Sequence, residues 1–165
     1  MADKTITERL QPSLLDRLTD LEPTARTEAR DDRVINIQRL RNIIRRDLSW
    51  LLNSNSQDTI IDADQYPNIA TSVLNYGVQE VAGDFSTKNR AAEIRKAIKR
   101  AIILFEPRIK NGTLEIIARE DKKSSQTIIE FDIRADMWAQ PLPMELYLRS
   151  QVDLTTGQLH LERKG

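Results

Sequence analysis

The sequence predicts an α+β fold: N-terminal helices packed on one face of a small C-terminal sheet, antiparallel or mixed. Three observations carry this. Apolar residues recur with a period near 3.6 as far as residue 105, and with a period of 2 after Asn111-Gly112. Helical patterns come first and strand patterns last, without alternating. The strand patterns are polar at every second position, which leaves one sheet face to solvent. With 165 residues the chain is sized for one domain and a short appendage. We place an N-terminal arm at 1–32 and a single α+β domain at 33–165.

In the arm, Leu10, Leu14, Leu15, Leu18 and Leu21 fall at helical spacing. Ser13 is placed to cap a short helix with Asp16 three residues on, and Pro23 ends it. So short a helix is marginal alone. TARTEARDD then reads as a polar linker, so the arm is expected to be separable and to order against a partner. Residues 33–52 form an amphipathic helix capped by Asp31 or Asp32. Val34, Ile37, Leu40, Ile44, Leu48, Leu51 and Leu52 make its stripe, with Arg39, Arg41, Arg45 and Arg46 mostly off it. YPNIATSVLNYG at 66–77 reads as one short helix with Pro67 in its first turn and Gly77 just past its end. Ile69, Val73 and Leu74 are its expected buried side.

A second long helix spans 87–105, capped by Ser86 or Thr87. Ala91, Ile94, Ala97, Ile98, Ala101, Ile102 and Phe105 line one face, and Lys88, Arg95, Lys96, Lys99 and Arg100 decorate the rest. Pro107 forces its end near Phe105 or Glu106. Strands follow. Leu114, Ile116 and Ala118 mark the first, and DKKSS at 121–125 is a turn. Ile129, Phe131, Ile133 and Ala135 mark the second, Met144, Leu146 and Leu148 the third, and Leu159 and Leu161 a last short one after TTG.

Composition narrows the chemistry. There is no cysteine, so disulfides, thiolate metal sites and cysteine nucleophiles are excluded. His160 is the single histidine. In LHLER it projects from the polar side of a terminal strand, as a surface residue. No cofactor or metal site is implied, and no glycine-rich phosphate loop exists. No run approaches the roughly 20 apolar residues of a membrane span, and MADKTITERL has no apolar leader core. The expectation is a cytoplasmic protein without direct membrane insertion.

Net charge is zero but unevenly spread. Residues 53–85 carry five acidic and no basic side chains, while 86–110 carry eight basic and two acidic ones. The basic helix 88–100 has no interleaved aromatics, which argues against nucleic acid as a partner and favours an acidic protein surface.

Two features have more than one reading. Glu106 lies between an apolar helix end and a proline, where burial could make it a general acid with Asp132 or Glu115 as a second carboxylate. Equally, Glu106 and Arg108 flank Pro107 and point the same way in an extended segment, so they can pair with each other or with a partner. Read as an exposed charged pair, they should be removable without loss of the fold. The last strand, GQLHLERKG, sits at a sheet edge that is either protected or used for strand addition. In the second case Leu159 and Leu161 enter the core side, and a proline at His160 should delete a ladder donor.

Several stretches together have a family likeness. SLLDRLTDLEP, DLSWLLNSNS, YPNIATSVLNYGV, FEPRI and the terminal GQLHLE occur in one order over roughly 10–162. In that order they resemble the baseplate wedge family of gene-25-like contractile-phage proteins and the TssE proteins of type VI secretion. The resemblance implies a non-enzymatic structural role. Such proteins sit beside TssF and TssG at the inner-membrane complex, with TssK as a further neighbour, and dock the first sheath subunits, TssB and TssC. The resemblance assigns Glu106, Pro107 and Arg108 to assembly, and Leu14, Leu15 and Leu18 to an extension that distinguishes TssE. Its sheet is similar to the strand-exchange domain of sheath subunits, which adds weight to partner binding by Leu159, His160 and Leu161. The family is also described as lysozyme-like, a muramidase reading that would rest on Glu106 and that the residues themselves do not favour.

Overall fold

The computed structural model describes residues 13–20, 23–24, 37–62, 64–79, 90–119, 127–138 and 144–163. Leu10, Leu21, Val34, Lys88, the caps Asp31, Asp32, Ser86 and Thr87, the 25–32 linker and the 121–125 turn lie outside these residues. The elements run α1 (Leu14–Leu18), α2 (Ile37–Leu52), α3 (Pro67–Ala70), a 3-10 turn (Val73–Asn75), α4 (Arg90–Phe105), then β1 (Glu115–Arg119), β2 (Ile128–Met137), β3 (Met144–Asp153) and β4 (Leu159–Arg163). This is the predicted α+β class.

The sheet is a four-stranded antiparallel meander in the order β1-β2-β3-β4. Its register aligns Ile116 with Ile133 and Leu148, and Phe131 with Ser150 and Leu161. Strand period 2 places all of these on the helix side. The opposite face carries a row formed by Ile117, Asp132, Arg149 and Glu162. The long helices cover the apolar face. Leu40, Ile43, Ile44, Leu48, Leu51 and Leu52 of α2, and Ile94, Ile98, Ala101 and Ile102 of α4, join Phe131, Ile133, Leu146, Leu148 and Val152 in one core. Burying a side chain of this size contributes about 1.5–3 kcal/mol. Ser150, fully buried on β3, satisfies its hydroxyl on Phe131 O at 3.3 Å.

Three local expectations change. β3 runs on past Leu148 to Asp153, because the in-out alternation continues with Ser150 and Val152 on the buried side. The Ser13 hydroxyl caps no backbone N–H of α1 and instead donates to the Asp16 carboxylate. The 66–77 segment is not one helix. Pro67 opens a single turn as predicted, but the chain restarts at Ser72, whose Oγ accepts from Leu74 N. This turns Ala70 and Asn75 inward, and leaves Ile69 half-buried and Val73 and Leu74 exposed. Gly77 has φ +131°, and a Cβ there would collide with the Ser54 carbonyl.

Candidate functional site

Two regions carry the predicted site residues: the C-terminal end of α4, and β4. At the first, Pro107 ends α4 as expected. The chain then turns, with Glu106 N donating to Ile102 O and Ile109 N to Glu106 O. Trp138 N donates to Arg108 O at 2.8 Å, and Lys110 N to Asp136 O at 2.8 Å. The end of β2 thereby fixes the backbone around Arg108.

Glu106 is not an exposed charge: it is 4 % exposed. Arg108 donates to it from Nε at 2.6 Å, from Nη2 at 2.5 Å and from its backbone N at 3.1 Å. Nη2 also bonds Asp47 Oδ2 on α2 at 2.7 Å. Asp47 in turn accepts from Arg46, and Arg46 bonds Asp16 of α1 at 2.6 Å and 3.1 Å. The chain of charges Glu106–Arg108–Asp47–Arg46–Asp16 thus links the end of α4, the middle of α2 and the arm helix. It joins three carboxylates to two guanidiniums. Burial works against the charge on Arg108, but the bonds from Glu106 and Asp47 outweigh it and hold its pKa above the ordinary value. The Arg46 hydrogen bond holds the Asp16 carboxyl below the usual carboxylate range. Burial, then the charges of Asp47 and Glu106, push the Tyr76 phenol up. Arg108 Nη1 is buried and makes no hydrogen bond.

Beside this network lies an open groove of about 480 Å³, lined by Leu14, Leu15, Trp50, Tyr76, Phe105 and Pro107 among others. Leu14, Leu15 and Leu18 are all exposed, and α1 buries no residue. The Asp16–Arg46 pair ties it to α2. Arg46 also sits 4.8 Å above the Trp50 ring. The structure brings together Leu14, Leu15, Glu106, Pro107 and Arg108, which sequence reasoning had named separately. It adds Asp16, Arg46 and Asp47. Their partners lie 30 and 61 residues away in sequence, and nothing local signals them.

Glu106 is the residue on which the muramidase reading rests. Both its oxygens accept from Arg108 and it is buried. Asp132 and Glu115 project from the sheet face opposite the helices, where Asp132 meets Arg149 at 3.5 Å. No group of acidic and histidine residues that could hold a metal occurs among the described residues. No helix among them is long and apolar enough to cross a membrane.

β4 is an edge strand, as expected. Asp153 N donates to Gln158 O, so the antiparallel alternation turns the backbone groups of His160 towards β3 and those of Leu159 and Leu161 outward. Gly157, at φ +71°, makes the turn that sets this phase. Leu159 is not open. Asn53, just past α2, accepts from Leu159 N and donates to Leu159 O, each at 2.8 Å. The outward N–H and C=O of Leu161 are the first uncovered rung among the described residues. Leu159 is buried, Leu161 half-buried and His160 exposed on the polar face. The expected role of His160 N–H changes accordingly: it belongs to the internal ladder, not to the edge.

The chain thus has an α+β topology with a buried Glu106–Arg108 turn and a sheet edge that is capped at Leu159 and open at Leu161. The family described as baseplate wedge protein gp25 matches residues 38–142, and the chain belongs to that family. The matched span holds α2 to β2; α1, β3 and β4 lie outside it. Neither the curated proteins nor the solved structures compared with the chain give a significant match. The family is a structural component of contractile baseplates, so a structural baseplate role follows.

Proposed function

We propose that this chain is a non-enzymatic wedge subunit of a type VI secretion baseplate, working in the cytoplasm, where it docks the contractile sheath and starts its polymerisation by strand addition to β4. The observation that carries this is the outer edge of β4. Its Leu161 backbone groups point outward and uncovered, one rung beyond the Asn53 cap. An extended sheath segment can extend the ladder there through main-chain hydrogen bonds. In the same reading, the groove between α1 and the Glu106-Pro107-Arg108 turn receives TssF and TssG, with Leu14, Leu15 and Leu18 as apolar contacts.

Sheath recruitment to assembled baseplates tests the edge. Leu161→Pro removes the outward donor from a position where an edge strand tolerates proline. Leu161→Ala keeps that donor and loses only side-chain packing. Loss of recruitment by the folded proline variant, with recruitment kept by the alanine variant, is expected. Equal recruitment by both would refute strand addition at β4. Zymography on peptidoglycan with wild type and Glu106→Gln tests the non-enzymatic part: clearing by wild type that the variant lacks would overturn it.

A further inference from the structure

Asn53 closes one rung of the β4 edge in the way a neighbouring strand would. A carboxamide carries the same acceptor and donor as a peptide group, and here both are used. Oδ1 accepts from Leu159 N, and Nδ2 donates to Leu159 O, each at 2.8 Å. The amide is itself positioned by the last turn of α2. Nδ2 also donates to Ser49 O at 2.8 Å, and Asn53 N donates to the same carbonyl at 3.2 Å. Bulk is not what closes the rung, because Asn53 is exposed. An open hollow of about 460 Å³ adjoins it, lined by Asn53, Gln158, Leu159 and His160 along the edge, with buried Ile98 and Val152 among its walls. The edge at Leu159 therefore borders open space, and hydrogen bonds alone occupy its backbone.

The consequence for an incoming strand is unequal along β4. At Leu161 it gains protein hydrogen bonds to groups that otherwise meet water. The same alternation turns the backbone groups of Arg163 outward. At Leu159 it must first break both bonds to Asn53, so the exchange yields no net hydrogen bond. We propose that Asn53 is a stop for strand addition: it ends the added ladder at Leu161, and the partner is a short extended segment that pairs with Leu161 and Arg163 and bends away from the edge before Leu159. This inference rests on strand addition at β4 as proposed above. It calls for a turn-forming residue, glycine, proline, asparagine or aspartate, at the bend of that segment. A long unbroken strand is selected against.

The absence of cysteine allows a direct test with two probes, Glu162→Cys inside the added ladder and Gln158→Cys beyond the stop. Both positions are exposed, and their backbone groups face β3, so their side chains come within disulfide reach of an added strand. Each variant is assembled into baseplates and oxidised with sheath subunits that carry one cysteine each, scanned along their chain. With Asn53 present, Glu162→Cys should form a disulfide and Gln158→Cys should not. Asn53→Ala should raise the Gln158→Cys product by about ten-fold and leave the Glu162→Cys product unchanged. Asn53→Asp, whose carboxylate cannot donate to Leu159 O, should act in the same direction. In the isolated, folded Asn53→Ala chain the Leu159 amide should exchange faster. Unchanged exchange at Leu159, a Gln158→Cys disulfide in the presence of Asn53, or none in the Asn53→Ala background would each overturn the stop while leaving strand addition standing. No disulfide from Glu162→Cys at any scanned position would remove strand addition itself, and the stop with it. A disulfide between two copies of this chain would also overturn the proposal, since the edge would then pair with itself.

Discussion

Glu106→Ala should destabilise the fold by about 2–3 kcal/mol. The side chain accepts three hydrogen bonds from Arg108 and is buried. Truncating one partner of a fully buried pair costs about 3–5 kcal/mol, because the charge left behind is uncompensated. Here the residue left behind is Arg108, whose side chain is 26 % exposed and keeps its bond to Asp47, so the cost falls below that range. The reciprocal change, Arg108→Ala, strands the deeper group: Glu106 loses all its side-chain donors, and about 3–5 kcal/mol is expected. For a chain of this length, 1 kcal/mol moves the thermal midpoint by about 2–4 °C. Glu106→Ala should therefore lower it by about 4–12 °C, and Arg108→Ala by more. Replacing the pair together, Glu106→Leu/Arg108→Met, should recover most of the loss, since a packed apolar pair substitutes for a buried ion pair at little cost. Thermal and urea unfolding followed by circular dichroism reads all three. A midpoint for Glu106→Ala within about 1 °C of wild type would mean that the pair is energetically idle. Its role would then be confined to partner contact, as the sequence alone had implied.

Three further outcomes follow from the same geometry. The folded-state pKa of Asp16 is lowered from 3.8, so its tie to Arg46 is at full strength above about pH 4 and is lost as pH falls through the lower folded value. In a Trp138→Phe variant, Trp50 fluorescence should report α1 release on acidification, and Asp16→Asn should remove that transition; a pH-independent signal would show that α1 is held otherwise. His160→Pro deletes a donor between β4 and β3 and leaves a carbonyl of β3 unpaired. It should cost about 1–3 kcal/mol in urea unfolding, more than Leu161→Pro, and the reverse order would place the ladder in the opposite phase. Asn75→Ala leaves Gln57 N, Ala70 O and Asp58 short of partners and should cost about 2–4 kcal/mol. Faster amide exchange at Gln57 is expected, and an unchanged rate would show that the loop is anchored elsewhere.

The sequence alone determined what depends on local period and local sterics. The stripes Leu40–Leu52 and Ile94–Ile102 declare two helices, because an apolar face at 3.6-residue spacing has only one way to be buried. The alternation from Leu114 onward declares strands, and Pro107 sets the end of α4, since a ring without an N–H cannot continue the helix. It also placed β4 at an edge, as a short final strand after a tight turn. It could not decide which way an irregular turn faces. Val73 and Leu74 are apolar and were assigned inward, yet the break at Ser72 rotates them out and turns Asn75 in, where its amide satisfies three loop groups. Nor could it decide the surroundings of Glu106, because the depth of that carboxylate depends on Asp47 and the end of β2, which only chain folding brings near. The phase of the β4 ladder is set by the turn at Gly157, and its first rung is covered by Asn53, 106 residues away. Period and propensity act over a few residues. Burial of a charge, the direction of an N–H and the capping of an edge are properties of contacts between distant segments, and only the tertiary structure supplies them.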